Sequence, residues 1–113
     1  MRQITNLTDE PIQRHTVIFE ESEIVVRLRF HPRHQFWAMD VEYGPFQVFG
    51  VKVSVGVLHI TSGNQPFDFY VTDSSGNGVD PYRRNDFASG RCRLYMFNRA
   101  DMLKIRRGEA VPA

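Results

Sequence analysis

Ile24-Val25-Val26-Arg27-Leu28-Arg29-Phe30 and, after a break, Phe36-Trp37-Ala38-Met39-Asp40-Val41-Glu42-Tyr43 are the stretches that decide the fold. In the first, Ile24, Val26, Leu28 and Phe30 share one parity while Arg27 and Arg29 take the other. In the second, Trp37, Met39, Val41 and Tyr43 point away from Asp40 and Glu42. Side chains of an extended chain alternate between two faces, so a period of two marks a half-buried strand. The pattern recurs outward along the chain. Phe67, Phe69 and Val71 alternate with Asp68, Tyr70 and Thr72, and Cys92, Leu94 and Met96 alternate with Arg91 and Arg93. This predicts an all-β fold: a small antiparallel β-sandwich or partly open barrel.

Breakers divide the pattern into elements. A first strand is expected over His15–Glu20, an acidic turn over Glu21–Glu23, and a return strand over Ile24–Phe30. His31-Pro32-Arg33-His34 ends that strand, because proline donates no ladder bond and restricts the residue before it. Gln35–Tyr43 is the third strand, Gly44-Pro45 a turn, and Phe46–Val55 a fourth run with a bulge or bend expected at Gly50. Gly56–Asn64 fits a helical turn or a continued strand equally well. Strands are expected again from Pro66 to Thr72 and from Arg91 to Phe97, and Asn98 can cap a short C-terminal helix over Arg99–Ile105. The remainder lacks periodicity: an extended N-terminal arm over 1–11, a polar loop over Asp73–Gly90, and a polar tail over 106–113. Both the arm and the loop are expected to be mobile in the isolated protein and to order on a partner.

The 113 residues suit one β domain with one core. Hydrophobic residues make up 42% and charged residues 24%, ordinary values that exclude wholesale disorder. A net charge of +1 gives no general attraction to nucleic acid or anionic lipid, although acids gather early and arginines late. No run approaches the ~18 apolar residues of a membrane span. The opening residues lack a signal-peptide core, so synthesis and use in a cytoplasm are expected.

Chemistry-bearing patterns are sparse. His31 and His34 lack a second His or Cys pair, and His15, His59 and Cys92 are scattered, so no metal is expected. Asp73-Ser74-Ser75-Gly76-Asn77-Gly78-Val79-Asp80 has oxygen donors at alternate places, but it lacks the terminal acid and flanking helices of a calcium loop. No serine sits in a nucleophile elbow, and Cys92 alternates into a core face; no enzyme and no cofactor are expected. Arg91, Arg93, Tyr95 and Phe97 share a parity, and Arg27 and Arg29 share another. That interleaving makes a module binding single-stranded nucleic acid the alternative function.

An ordered set of landmarks resembles the baseplate plug proteins of contractile-tailed bacteriophages. Met1-Arg2-Gln3-Ile4 looks like the family's start, followed by Gln13 and Thr16-Val17-Ile18-Phe19. Val26 to Phe30 is similar to its second strand, and Phe36-Trp37-Ala38-Met39-Asp40-Val41 to its most distinctive segment. Gly50-Val51-Lys52-Val53, Gly56-Val57-Leu58, Asp80-Pro81, Asp86-Phe87 and Arg93-Leu94-Tyr95-Met96 complete the series. Glu21-Ser22-Glu23 departs from the family's glycine turn, and the segment from Asn98 onward is longer than its usual finish. The resemblance implies a non-enzymatic virion component, assembled in the host cytoplasm. It would contact hub, spike and tail-tube subunits in several symmetric copies, without membrane or nucleic acid. Partner contacts are expected at Arg83 and Arg84 in the polar loop and at Arg2 and Gln3 in the arm.

Overall fold

The computed structural model describes residues 1–60 and 65–108, apart from the side chain of Arg106. Along the chain run β1 (Arg2–Ile4), β2 (Ile12–Phe19), β3 (Ser22–His31), β4 (Phe36–Tyr43), β5 (Phe46–Lys52), β6 (Phe67–Asp73), β7 (Cys92–Asn98) and α1 (Arg99–Arg106). They form two antiparallel sheets, one ordered β1-β7-β6 and the other β2-β3-β4-β5. One isolated parallel bridge, Val55 with Val71, ties the segment after β5 to the edge of β6. The architecture is a β-sandwich with a short C-terminal helix.

The period of two accounts for the packing. Ile24, Val26 and Leu28 of β3 and Trp37, Met39 and Val41 of β4 are buried against Phe67, Phe69 and Val71 of β6 and Leu94 and Met96 of β7. Aromatic contacts fasten this core. Phe30 and Trp37 are register partners with centroids 5.4 Å apart, and Tyr43 meets Phe67 edge-on at 5.3 Å across the two sheets. Cys92 joins the same core, where burial pushes its thiol up to about 12.

The bulge expected at Gly50 is present. Met39 pairs with Val51 and Val41 with Val48, so Phe49 and Gly50 together face Asp40. Gly50 takes φ +70°, and its N–H donates to Asp40 Oδ1 at 2.8 Å. A carboxylate on the partner strand thus holds the extra residue in place.

Four expectations are corrected. Residues 2–4 are not arm but β1, which pairs with β7 and buries Ile4. Residues 8–10 are bound as well: the Gln13 side chain accepts from Thr8 N and donates to Thr8 O and Glu10 O at 2.9–3.0 Å. The hairpin turn is Glu20-Glu21, not 21–23, because Phe19 pairs with Ser22. Helix α1 continues to Arg106, so the tail expected over 106–113 starts later, and residues 109–113 lie outside the described residues, as do 61–64 of the ambiguous segment. The rest of that segment is neither helix nor strand, although Gly56 N donates to Val71 O at 3.0 Å.

The second face of the three-stranded sheet is covered. Asn98 caps α1 through a reciprocal capping box with Asp101. Met102 of the helix then packs with Tyr70, Tyr95 and Phe97, with Leu58 and Ile105 at the margin. Tyr95 and Phe97 are therefore helix-facing core, which removes the stacking surface on which the nucleic-acid alternative relied.

Trp37→Ala should destabilise the fold by about 3–5 kcal/mol in urea unfolding, because Trp37 is fully buried; an unchanged midpoint would show the face assignment to be inverted. Glu20 and Glu21 hold φ of 49° and 68°, the left-handed pair that a two-residue turn requires and that Asn-Gly suits best. Replacing them with Asn-Gly should raise stability by about 1 kcal/mol. A loss of stability would mean that the Asn98-to-Glu20 hydrogen bond outweighs the strain.

Candidate protein–protein contact surfaces

The polar loop 74–91 is organised by one guanidinium. Arg91 lies just before β7 and forks onto Asp86, with Nε 2.9 Å from Oδ1 and Nη2 2.8 Å from Oδ2. It also donates to the carbonyls of Val79 and Asp80 and forms an ion pair with Asp73 at 3.2 Å. Asp86, which is buried, accepts in addition from the N–H groups of Tyr82 and Arg83, each at 2.8 Å. Bidentate charged bonds of this kind are directional and strong, which is how a segment rich in Gly, Ser and Asn gains a defined shape. Trp37 closes the loop onto the core: its Nε1–H donates to Arg83 O at 3.0 Å, and its ring meets Phe87 edge-on.

The loop expected to be mobile is thus part of the domain's own fold. Its polar residues bond to backbone groups rather than repeating with a period, so periodicity could not reveal their order. The Asp73–Asp80 pattern also proves to be structural. Asp73 accepts from Ser75 N, Ser75 Oγ and Val79 N, and Asp80 accepts from Val55 N. Those carboxylates are turned onto their own chain. Among the described residues no group of three or more His, Cys, Asp or Glu could hold a metal ion. The histidines do not converge: His15 bonds Gln13, His31 stacks on Phe36, and His59 lies between Phe69 O and Ser54 N. Nε2 of His59 accepts from Ser54 N at 3.0 Å, and its Nδ1 lies 2.9 Å from Phe69 O.

Three further carboxylates are likewise held by their own chain. Asp68 is buried, and its Oδ1 accepts from the N–H groups of His59, Ile60 and Phe69. Burial outweighs those bonds and raises its pKa. Asp40 joins Arg29 at 3.0 Å, and Glu42 joins Arg27 at 2.6 Å, across the outer face of the four-stranded sheet.

The four expected contact residues fall into two places. Arg83 and Arg84 are exposed on the loop. The Arg83 guanidinium lies 5.0 Å from the centre of the Tyr82 ring, and Arg84 Nε donates to Asp9 O at 2.7 Å, tying the loop to the N-terminal segment. Arg2 and Gln3 are exposed on β1, where the Arg2 guanidinium reaches across to Ile18 O of β2. The structure does not bring the two pairs together.

The family profile described as "Cyanophage baseplate Pam3 plug gp18" matches residues 1–99. The chain belongs to this baseplate plug family. A search of curated proteins found no match. The matched span runs from β1 to the first residue of α1, so both sheets and the Arg91 loop lie within it, whereas most of the helix lies beyond. No helix among the described residues is long and apolar enough to cross a membrane.

Acid should test the loop. For Asp73, the Ser75 hydroxyl and then the Val79 N–H lower the pKa to about 2. For Asp86, burial pushes the pKa up, but the bonds from Arg91, Arg83 and Tyr82 together hold it below the ordinary value. Carboxyls lowered in this way contribute stability that is full above an unfolded pKa of about 4 and is lost as pH falls through the folded values. Asp68 works in the opposite sense, since its protonation relieves a buried charge. Asp86→Asn should lower stability at pH 7 by about 3 kcal/mol. It should also flatten the decline below about pH 4 relative to the parent, followed by urea titration at each pH. Parallel pH profiles would show that Asp86 does not carry this linkage.

Proposed function

We propose that this protein is a structural component of a phage tail baseplate, acting as a plug between the central hub or spike and the tail tube. The family match over residues 1–99 is the observation that carries this reading. The chemistry of the chain supports it. Asp40, Asp68, Asp73, Asp80 and Asp86 are all used to hold the chain's own backbone or arginines, and Cys92 is an inert core thiol. What the domain offers outward is shape, strand edges and exposed guanidinium groups, the means by which a small module joins an assembly in repeated copies. In a symmetric particle each such contact is multiplied, so modest single interfaces suffice.

On this reading Arg83 and Arg84 meet carboxylates of a neighbouring subunit. Reversing both to Glu should cost no more than about 1 kcal/mol, since the Arg84 bond to Asp9 O and the Arg83 contact with Tyr82 that it removes are both exposed. It should sharply reduce the amount of this chain in purified particles, as measured by quantitative mass spectrometry. Normal incorporation of the double variant would remove the loop from the contact surface. Absence of the wild-type chain from purified tails would overturn the plug assignment itself.

A further inference from the structure

The four sheet edges differ in how they are protected. On β5 the Phe49–Gly50 bulge and Lys52 disrupt any added strand. On β6 the edge is taken by Val55, Gly56 and His59, which bond to or bridge with Val71 and Phe69. The remaining edges, β1 and β2, belong to different sheets and face each other across one groove, lined by Arg2, Gln3 and Thr5 on one wall and His15, Thr16 and Ile18 on the other. β2 is eight residues long, and no bulge interrupts its register with β3.

Two hydrogen bonds fix which backbone groups of β2 are free. Pro11 O accepts from Phe30 N of β3, so the odd-numbered positions face β3. Ile18 O instead accepts from Arg2 on β1, so the even positions face the groove. By the alternation of an antiparallel strand, Ile12, Arg14, Thr16 and Ile18 present their N–H and C=O groups to the groove. Ile12 and Ile18 also expose 76% and 57% of their surface at the two ends of the same strand. No Asp or Glu lines the groove, while Arg2 lies within it and Arg14 is exposed on β2, on the same face as Thr16 and Ile18.

We infer that the β1/β2 groove receives an extended segment of a neighbouring protein, added as a strand along β2, with acidic residues alternating with apolar ones. The added backbone pairs with Arg14, Thr16 and Ile18 and displaces the Arg2 guanidinium from the Ile18 carbonyl. The carboxylates of the segment then take up Arg2 and Arg14, which gives a positively charged, acid-free groove its preference. Main-chain bonds supply affinity and alternate side chains supply selectivity, as in other strand additions. The inference rests on the assembly role proposed above and names the chemistry of one partner for it.

The test uses the full chain and two synthetic probes, acetyl-Thr-Asp-Val-Asp-Val-Asp-Thr-amide and its Lys-for-Asp counterpart. Amide hydrogen exchange is read residue by residue. With the Asp peptide in excess, exchange at Arg14, Thr16 and Ile18 should slow by about tenfold or more, while His15 and Val17, already bonded to β3, should not change. The Lys peptide should have no effect. Thr16→Pro should abolish the slowing without unfolding the domain, because the N–H it removes points away from β3. Arg2→Ala should narrow the difference between the two peptides. Absence of slowing in the parent chain, or equal slowing by the Lys peptide, would overturn the inference. So would protection of the same amides that rises with protein concentration alone, which would make a second copy the occupant. A failure here leaves the composition of purified tails, and so the plug reading, separately testable.

Discussion

The fork of Arg91 on Asp86 is the constraint on which the rest of the structure depends. From one position before β7 it reaches the end of β6 through Asp73, the loop carbonyls at Val79 and Asp80, and the turn amides that Asp86 gathers. Without it, a segment of turn-forming residues would have no fixed path across the end of the sandwich. With it, Phe87 and the Arg83 carbonyl are held against Trp37, which completes the core at that end. A buried pair of this kind does not of itself add much net stability. Removing either member, however, strands the other in a poorly hydrated site, so the pair enforces one conformation of the loop.

The sheets were legible in the sequence because their physics is periodic. Ile24 to Phe30 and Phe36 to Tyr43 bury one parity and expose the other, and the alternation passes directly into pairing and packing. Gly50 signalled its bulge, and Asn98 its helix, through residue types that only a few backbone geometries favour. What escaped was what has no period. β1 is three residues long, too short for alternation to show, and its pairing with β7 is set from the far end of the chain. Parity puts Tyr95 and Phe97 on one face, but it does not say that α1 covers that face. The hydrogen bonds of Gln13, Asp73 and Asp86 run to groups two to six residues away, local contacts that have no period to reveal them.

Among the described residues these polar groups are engaged within the chain itself. Carboxylates that might have been ligands or bases are held by backbone N–H groups and arginines of their own chain, and the half-buried His59 is held at both ring nitrogens. Such bonds specify shape rather than reactivity. Polar chemistry turned inward is compatible with the baseplate plug family that residues 1–99 match.

The most direct test of that account is a cryo-electron microscopy reconstruction of the assembled tail tip. The account predicts density for this β-sandwich on the tail axis, between the spike or hub and the first ring of the tube, in copies related by the local symmetry. Density for the fold elsewhere in the particle, or a complete axial region built without it, would contradict the account.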